Sequence, residues 1–161
     1  MVIAVLSDIH DNIWNLEKVL DELSQAEALL FCGDFCAPFT LAEIAKGFDG
    51  PVHVVFGNND GDKLLLSRVA AQTDNVTLYG EYALLEIDGK KIAVTHYPEL
   101  AQSLARSGLY DLVCHGHDHR RNVERVGDTL LVNPGEVMGR FGVSSYAVYD
   151  TESKKATLYT L

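Results

Sequence analysis

Five short clusters of oxygen and nitrogen donors punctuate this chain: Asp8-Ile-His10, Gly33-Asp34, Gly57-Asn58-Asn59-Asp60, His96, and His115-Gly116-His117-Asp118-His119. Carboxylate, imidazole and carboxamide groups suit manganese, iron, cobalt, nickel or zinc. Singly, each cluster has an ordinary explanation. Asp8 could cap a following helix, the Gly-Asp and Gly-Asn pairs could be turns, His96 could be a core residue, and the His-rich run could be a solvated loop. Jointly they take up every one of the chain's six histidines except His53. That joint occurrence points to metals. Two divalent ions bring four positive charges; two aspartates and a bridging hydroxide remove three. The remaining charge of about +1 suits an anionic phosphate and the generation of hydroxide near neutral pH.

The elements that must position these residues are legible from apolar runs. Val2–Leu6, Ala28–Cys32, Val52–Phe56, Lys91–Thr95 and Asp111–Cys114 read as strands, and each ends where a polar cluster begins. Ligands in open α/β sheets bind beyond the carboxyl ends of strands, so the five clusters should converge on one crevice. Ile13, Trp14, Leu16, Leu20 and Leu23 recur at helical spacing, and this stripe, Trp14 included, reads as core packing. Further helices are expected over Thr40–Lys46, Lys63–Ala71 and about Glu99–Arg106. Alternating buried strands and helices argue for βαβ units. Asp88-Gly89 joins Tyr82–Ile87 to Lys91–Thr95 as a hairpin. Antiparallel strands follow at Asn122–Val126, Thr129–Val132, Ser145–Asp150 and Ala156–Leu161. The reading is one α/β domain over residues 1–161.

Composition excludes several classes. With 13 basic and 23 acidic residues the net charge is −10, which lacks the footprint of a general nucleic-acid or anionic-membrane binder. No apolar run approaches the roughly 20 residues of a membrane helix, and the first residues lack the basic region of a signal peptide. Three cysteines, Cys32, Cys36 and Cys114, match neither a disulfide framework nor a structural zinc site. A cytoplasmic protein with reduced thiols is expected.

The ordered motifs Asp8-x-His10, Gly33-Asp34, Gly57-Asn58, His96 and Gly116-His117-x-His119, with Asn133-Pro134-Gly135 after them, resemble the calcineurin-like metallophosphoesterase superfamily. The resemblance is narrower to its short archaeal and bacterial phosphodiesterases. It implies a sandwich of two mixed β-sheets flanked by helices, four layers in all. It implies two divalent ions per chain, manganese or nickel ahead of iron, cobalt or zinc. Asp8, His10, Asp34 and His119 would hold the first ion, and Asp34, Asn58, His96 and His117 the second. The implied reaction is hydrolysis of a small phosphodiester by a metal-bridging hydroxide attacking phosphorus in line. A homo-oligomer is also compatible with the resemblance. The alternative on the same fold is a protein-binding scaffold with little or no catalysis, like the eukaryotic retromer subunit of this architecture; intact ligand positions favour the enzyme.

Departures from the family pattern carry information. Asn59 stands where many members have a histidine that acts as general acid or phosphate-binding group. An amide can donate a hydrogen bond but cannot protonate a leaving group, which favours diesters with good leaving groups. Asp60, ordinarily that histidine's partner, is left to hold Asn59 or a loop amide; both residues are assigned to the catalytic group. Asp11 and Tyr97 replace glycines, and the Tyr97 ring is expected to line the pocket. Glu136 replaces a small hydroxyl residue and is expected near the mouth, where it would repel doubly charged monoesters. His115 and Cys36 lie close by but are not assigned as ligands, and His53 is read as structural or superficial.

Overall fold

The computed structural model describes residues 1–161. Its eleven strands and four helices follow in the order β1 (Val2–Leu6), α1 (Ile13–Glu22), β2 (Ala28–Phe31), α2 (Pro38–Gly47), β3 (Val52–Val54), α3 (Lys63–Ala71), β4 (Val76–Leu78), β5 (Tyr82–Ile87), β6 (Lys90–Thr95), α4 (Pro98–Arg106), β7 (Leu112–Cys114), β8 (Asn122–Val126), β9 (Thr129–Asn133), β10 (Ser145–Asp150) and β11 (Lys155–Thr160). One sheet has the strand order β11-β10-β1-β2-β3-β4, the other β5-β6-β7-β9-β8. Both are mixed: β1 to β4 run parallel and β10 and β11 are antiparallel, while β6, β7 and β9 run parallel with antiparallel β5 and β8 at the edges.

Side-chain alternation along β1 explains the layering. Ile3 and Val5 point into the space between the sheets, where they meet Ile92, Val94, Leu112 and Val132. Ala4 and Leu6 point the other way, onto Leu16 and Val19 of α1 and Leu41 and Ile44 of α2. Period-two alternation thus gives one strand two apolar faces, as a sheet covered on both sides requires. On the far side, Ala101 and Ala105 of α4 lie on Ala93, Val113 and Leu131. The result is four layers: helices, sheet, sheet, helix.

Most expected elements occur at or within a few residues of their predicted limits. Strand β4 was not anticipated. Three residues are too few to show a period, and it pairs on one side only, with Val52–Val54 of β3. Trp14 corrects the expected core stripe: it is 69% exposed, while Leu16, Val19 and Leu23 are buried. At 3.6 residues per turn, Trp14 lies about 200° around the helix from Leu16. The Asp88-Gly89 hairpin forms as expected, with φ of 51° and 68°, the left-handed pair such a turn needs.

Candidate metal centre

The carboxyl ends of β1, β2, β3, β6, β7 and β9 lie along one rim, and the loops that leave them are sewn together. The Asp8 amide donates to the Gly33 carbonyl (3.1 Å), His10 to Asp34 (3.0 Å), Gly116 to His96 (3.2 Å), and Met138 to Asp8 (3.0 Å). Asp8, His10, Asp11, Asp34, Cys36, His117 and His119 all have positive φ. Aspartate and histidine tolerate this region better than most residues, yet so many together mark a constrained set of turns. Two glycines allow the loops to approach. A Cβ at Gly57 would strike the Asp34 carboxylate and amide, and one at Gly116 would strike the Ser7 hydroxyl and the Asp8 carboxylate.

Five of the seven proposed ligands, Asp8, His10, Asp34, His96 and His119, form a group around the two aspartates. His119 Nε2 is 3.4 Å from Asp8 Oδ1, and His10 Nε2 is 3.7 Å from the same oxygen and 3.6 Å from Asp34 Oδ2. His96 Nε2 lies 3.3 Å from Asp34 Oδ2, 3.0 Å from Asn58 Oδ1 and 3.2 Å from His117 Nδ1. His117 Nδ1 is also 2.9 Å from Asn58 Oδ1, so the remaining two, Asn58 and His117, join the group through His96.

Surrounding groups fix which nitrogens face inward. His96 Nδ1 donates to the Cys32 carbonyl at 2.7 Å, leaving Nε2 toward the centre. His119 Nδ1 donates to Glu136 Oε2 at 2.8 Å, with the same consequence. Such partners hold the tautomer and ring plane of a metal-binding histidine. Burial would raise the Asp34 carboxyl, but hydrogen bonds from His96 and Asn59 and the charge on His96 hold it well below the usual carboxylate range. For His96, burial favours the neutral ring, and Asp34 and Asp8 outweigh it and raise the pKa.

A divalent ion fits these residues. Asp8 Oδ1 and His10 Nε2 are buried and have no hydrogen-bond partner. Ligand atoms of Asp8, His10 and His119 all lie within 4.8 Å of one another, as do those of Asp8, Asp34 and His96. Unpartnered oxygen and nitrogen lone pairs converging in this way are what a cation would satisfy, and the donor types suit first-row metals. The Cys36 thiol is not one of the converging atoms. It meets His10 at Nδ1 (3.6 Å), the ring nitrogen opposite the centre, and burial pushes it up to about 12.

Several residues occupy places that differ from their sequence reading or sharpen it. Glu136 is the main correction: it is 1% exposed and does not face the mouth. Its Oε2 takes the His119 proton donor, and its Oε1 accepts the Phe141 and Gly142 amides, each at 2.6 Å. Asp60 accepts from the Asp34, Gly57 and Cys36 amides (3.0, 2.6 and 2.7 Å), which pins two of the metal-site loops together. Asn59 donates to Asp34 through its backbone amide (2.8 Å) and its side chain (2.7 Å). Asp11 accepts from the Ala37 amide and the Thr40 hydroxyl, at 2.9 and 2.6 Å. His115 is buried beside Gly116 and Asn133, and His53 pairs with Tyr79 on another surface. Phe141, absent from the sequence reading, stacks edge-on against His119 at 5.1 Å.

Residues 1–154 match the calcineurin-like phosphoesterase superfamily domain, and the chain belongs to that family. The phosphodiesterase MJ0936 of Methanocaldococcus jannaschii is 32% identical over 160 residues, which are 96% of each chain. The structure of an archaeal phosphodiesterase superposes with a TM-score of 0.92 at 31% identity over the whole of both chains. Zinc-complexed Vps29 of Entamoeba histolytica shares the fold, with a TM-score of 0.69 at 20% identity over 99% of this chain and 91% of its own. No helix here is long and apolar enough to cross a membrane.

Proposed function

We propose that this chain is a dinuclear-metal phosphodiesterase acting on small diesters. The observation that carries the proposal is the convergence of unpartnered Asp8 Oδ1 and His10 Nε2 with His119 Nε2, next to the Asp34, Asn58, His96 and His117 cluster. One ion would be held by Asp8, His10, Asp34 and His119, and the other by Asp34, Asn58, His96 and His117, with Asp34 shared. Manganese or nickel is proposed ahead of iron, cobalt or zinc. Bound there, divalent ions supply a hydroxide nucleophile near neutral pH and neutralise phosphoryl charge.

The chain's own residues then set the substrate. Asn59 has no titratable proton, so nothing at that position can protonate an alkoxide as it leaves. Its two hydrogen bonds to Asp34 make it a holder of the shared carboxylate instead. Asp60 acts as a positioning residue through the three loop amides it accepts. Diesters with good leaving groups are the expected substrates, and the net charge of −10 disfavours long polyanions.

The test is an assay of metal-stripped protein on bis-p-nitrophenyl phosphate and p-nitrophenyl phosphate, with manganese, nickel, cobalt, zinc and magnesium restored one at a time. Metal-dependent cleavage of the diester well above the monoester supports the proposal. Two ions bound per chain with no turnover under any metal would overturn it in favour of a scaffold.

A further inference from the structure

Two aromatic rings flank the metal-site residues from opposite ends, and neither is needed to hold a metal or to build the core. Phe141 lies edge-on to His119, at the end of the cluster formed by Asp8, His10 and His119, and is 73% exposed. Tyr97 lies against His96 and His117, at the other end, with ring centroids 5.4 and 5.8 Å away. An exposed apolar ring on a mobile loop would carry no argument. Phe141 is not on such a loop. Its amide and that of Gly142 are fixed to Glu136 Oε1, and Glu136 Oε2 holds His119. One buried carboxylate therefore ties the backbone that carries the ring to the proposed metal ligand. The same loop is closed by Ser144 Oγ donating to the Val137 carbonyl at 2.7 Å. Tyr97 is fixed from its own side, since it directly precedes Pro98 at the start of α4.

From this arrangement we infer that Phe141 and Tyr97 are specificity walls for the ester arms of the substrate. They select phosphodiesters that carry a flat aryl or heteroaryl ring on both arms over those with an alkyl arm. The inference rests on the phosphodiesterase reading and adds the substrate class. Phe141 stands at the His119 end of the ligand cluster and Tyr97 at its His96–His117 end, so a diester held among these ligands would have an aromatic ring beside it at either end. Glu136 is buried and turned away from the mouth, with both oxygens engaged in hydrogen bonds. Aromatic stacking supplies affinity beyond the metals without depending on charge, in a chain whose net charge is −10.

The test compares two substrates with the same leaving group, bis-p-nitrophenyl phosphate and methyl p-nitrophenyl phosphate, using metal-loaded full-length protein. Intrinsic reactivity cancels when the ratio of their kcat/KM values is compared between wild type and variant. Phe141→Ala should lower that ratio about tenfold, the factor given by a contact of about 1.4 kcal/mol. Phe141→Tyr should restore it. Tyr97→Leu should lower the ratio in the same direction with two ions still bound per chain. Calorimetric titration with diphenyl phosphate and dimethyl phosphate gives an independent readout: Phe141→Ala should weaken the first about tenfold more than the second. A wild-type ratio retained in Phe141→Ala, or equal weakening of both ligands, would overturn the inference while leaving the phosphodiesterase intact. Wild-type protein that cleaves neither diester would instead sink the phosphodiesterase reading, and the calorimetric comparison would still decide whether the rings recognise aryl phosphates.

Discussion

The two rims of the sandwich treat polar groups in opposite ways. At the rim where β5–β6, β8–β9 and β10–β11 turn, charges and dipoles find partners. Asp111 accepts from the Lys91 amide at 3.0 Å and pairs with Lys154 at 3.3 Å, and Thr151 donates its hydroxyl to Asp88. The turns there are short, and their left-handed positions fall mainly on Gly89, Gly127, Asp88 and Lys154. At the other rim the loops are longer, the left-handed residues include Asp8, His10, Asp11, Asp34, His117 and His119, and Asp8 Oδ1 and His10 Nε2 face each other without hydrogen bonds. Both rims belong to the same strands and the same cores. The difference shows that, of its two rims, the fold places unsatisfied, conformationally costly groups at the one where a cation would satisfy them.

The sharpest way to break this comparison is to remove the shared charge. Asp34→Asn keeps the shape of the side chain and leaves the rim without the anion proposed to bridge the two ions. Turnover of bis-p-nitrophenyl phosphate should fall by at least about 10³-fold, the scale seen when one member of a catalytic unit is lost. Elemental analysis should find fewer than two ions per chain. Wild-type turnover in Asp34→Asn with two ions bound would remove Asp34 from the site.

A smaller effect is expected one step outward. Glu136→Gln keeps an acceptor for His119 Nδ1 but removes the charge, and the amide nitrogen cannot accept from the Phe141 and Gly142 amides. Loss of such a supporting partner typically costs about 10–100-fold in metal affinity or activity. The expected signature is weakened binding of one ion, with the second retained, in a two-site calorimetric titration. Equal weakening at both sites would show that Glu136 supports the rim as a whole and not His119 in particular.

The positions of these residues also explain what could be read from the chain. The five motifs were legible because each follows an apolar run that had to be a buried strand, and parallel strands deliver their ends to one rim. The hairpin at Asp88-Gly89 was legible because its turn chemistry is local. Glu136 was misread because its role depends on His119 being brought to it across 17 residues and a hairpin, and nothing near Glu136 in sequence records that meeting. Phe141 escaped for a related reason: no apolar period surrounds it, and its importance comes from Glu136 holding its amide. Trp14 falls outside the core because helical spacing alone does not say on which side of the helix the apolar stripe is centred. Asn59 is legible as an amide beside Asn58, but its bond to Asp34 requires a loop from β2 and a loop from β3 to meet.

The subtlest test concerns a third unpartnered buried atom, the hydroxyl of Tyr149, which lies within the layer between the sheets. Tyr149 is fully buried, and burial pushes its phenol up to about 12. Unlike Asp8 Oδ1 and His10 Nε2, it faces no set of convergent metal donors, so here the missing hydrogen bond brings no chemistry in return. Tyr149→Phe should therefore stabilise the protein by about 1 kcal/mol, the low end of the cost of an unsatisfied buried polar group. Urea unfolding of the metal-free protein would register this as a higher midpoint with an unchanged slope. A lower midpoint would mean that the hydroxyl is satisfied in solution, and the site rim would then be the one place in this fold that keeps buried polar atoms unpaired.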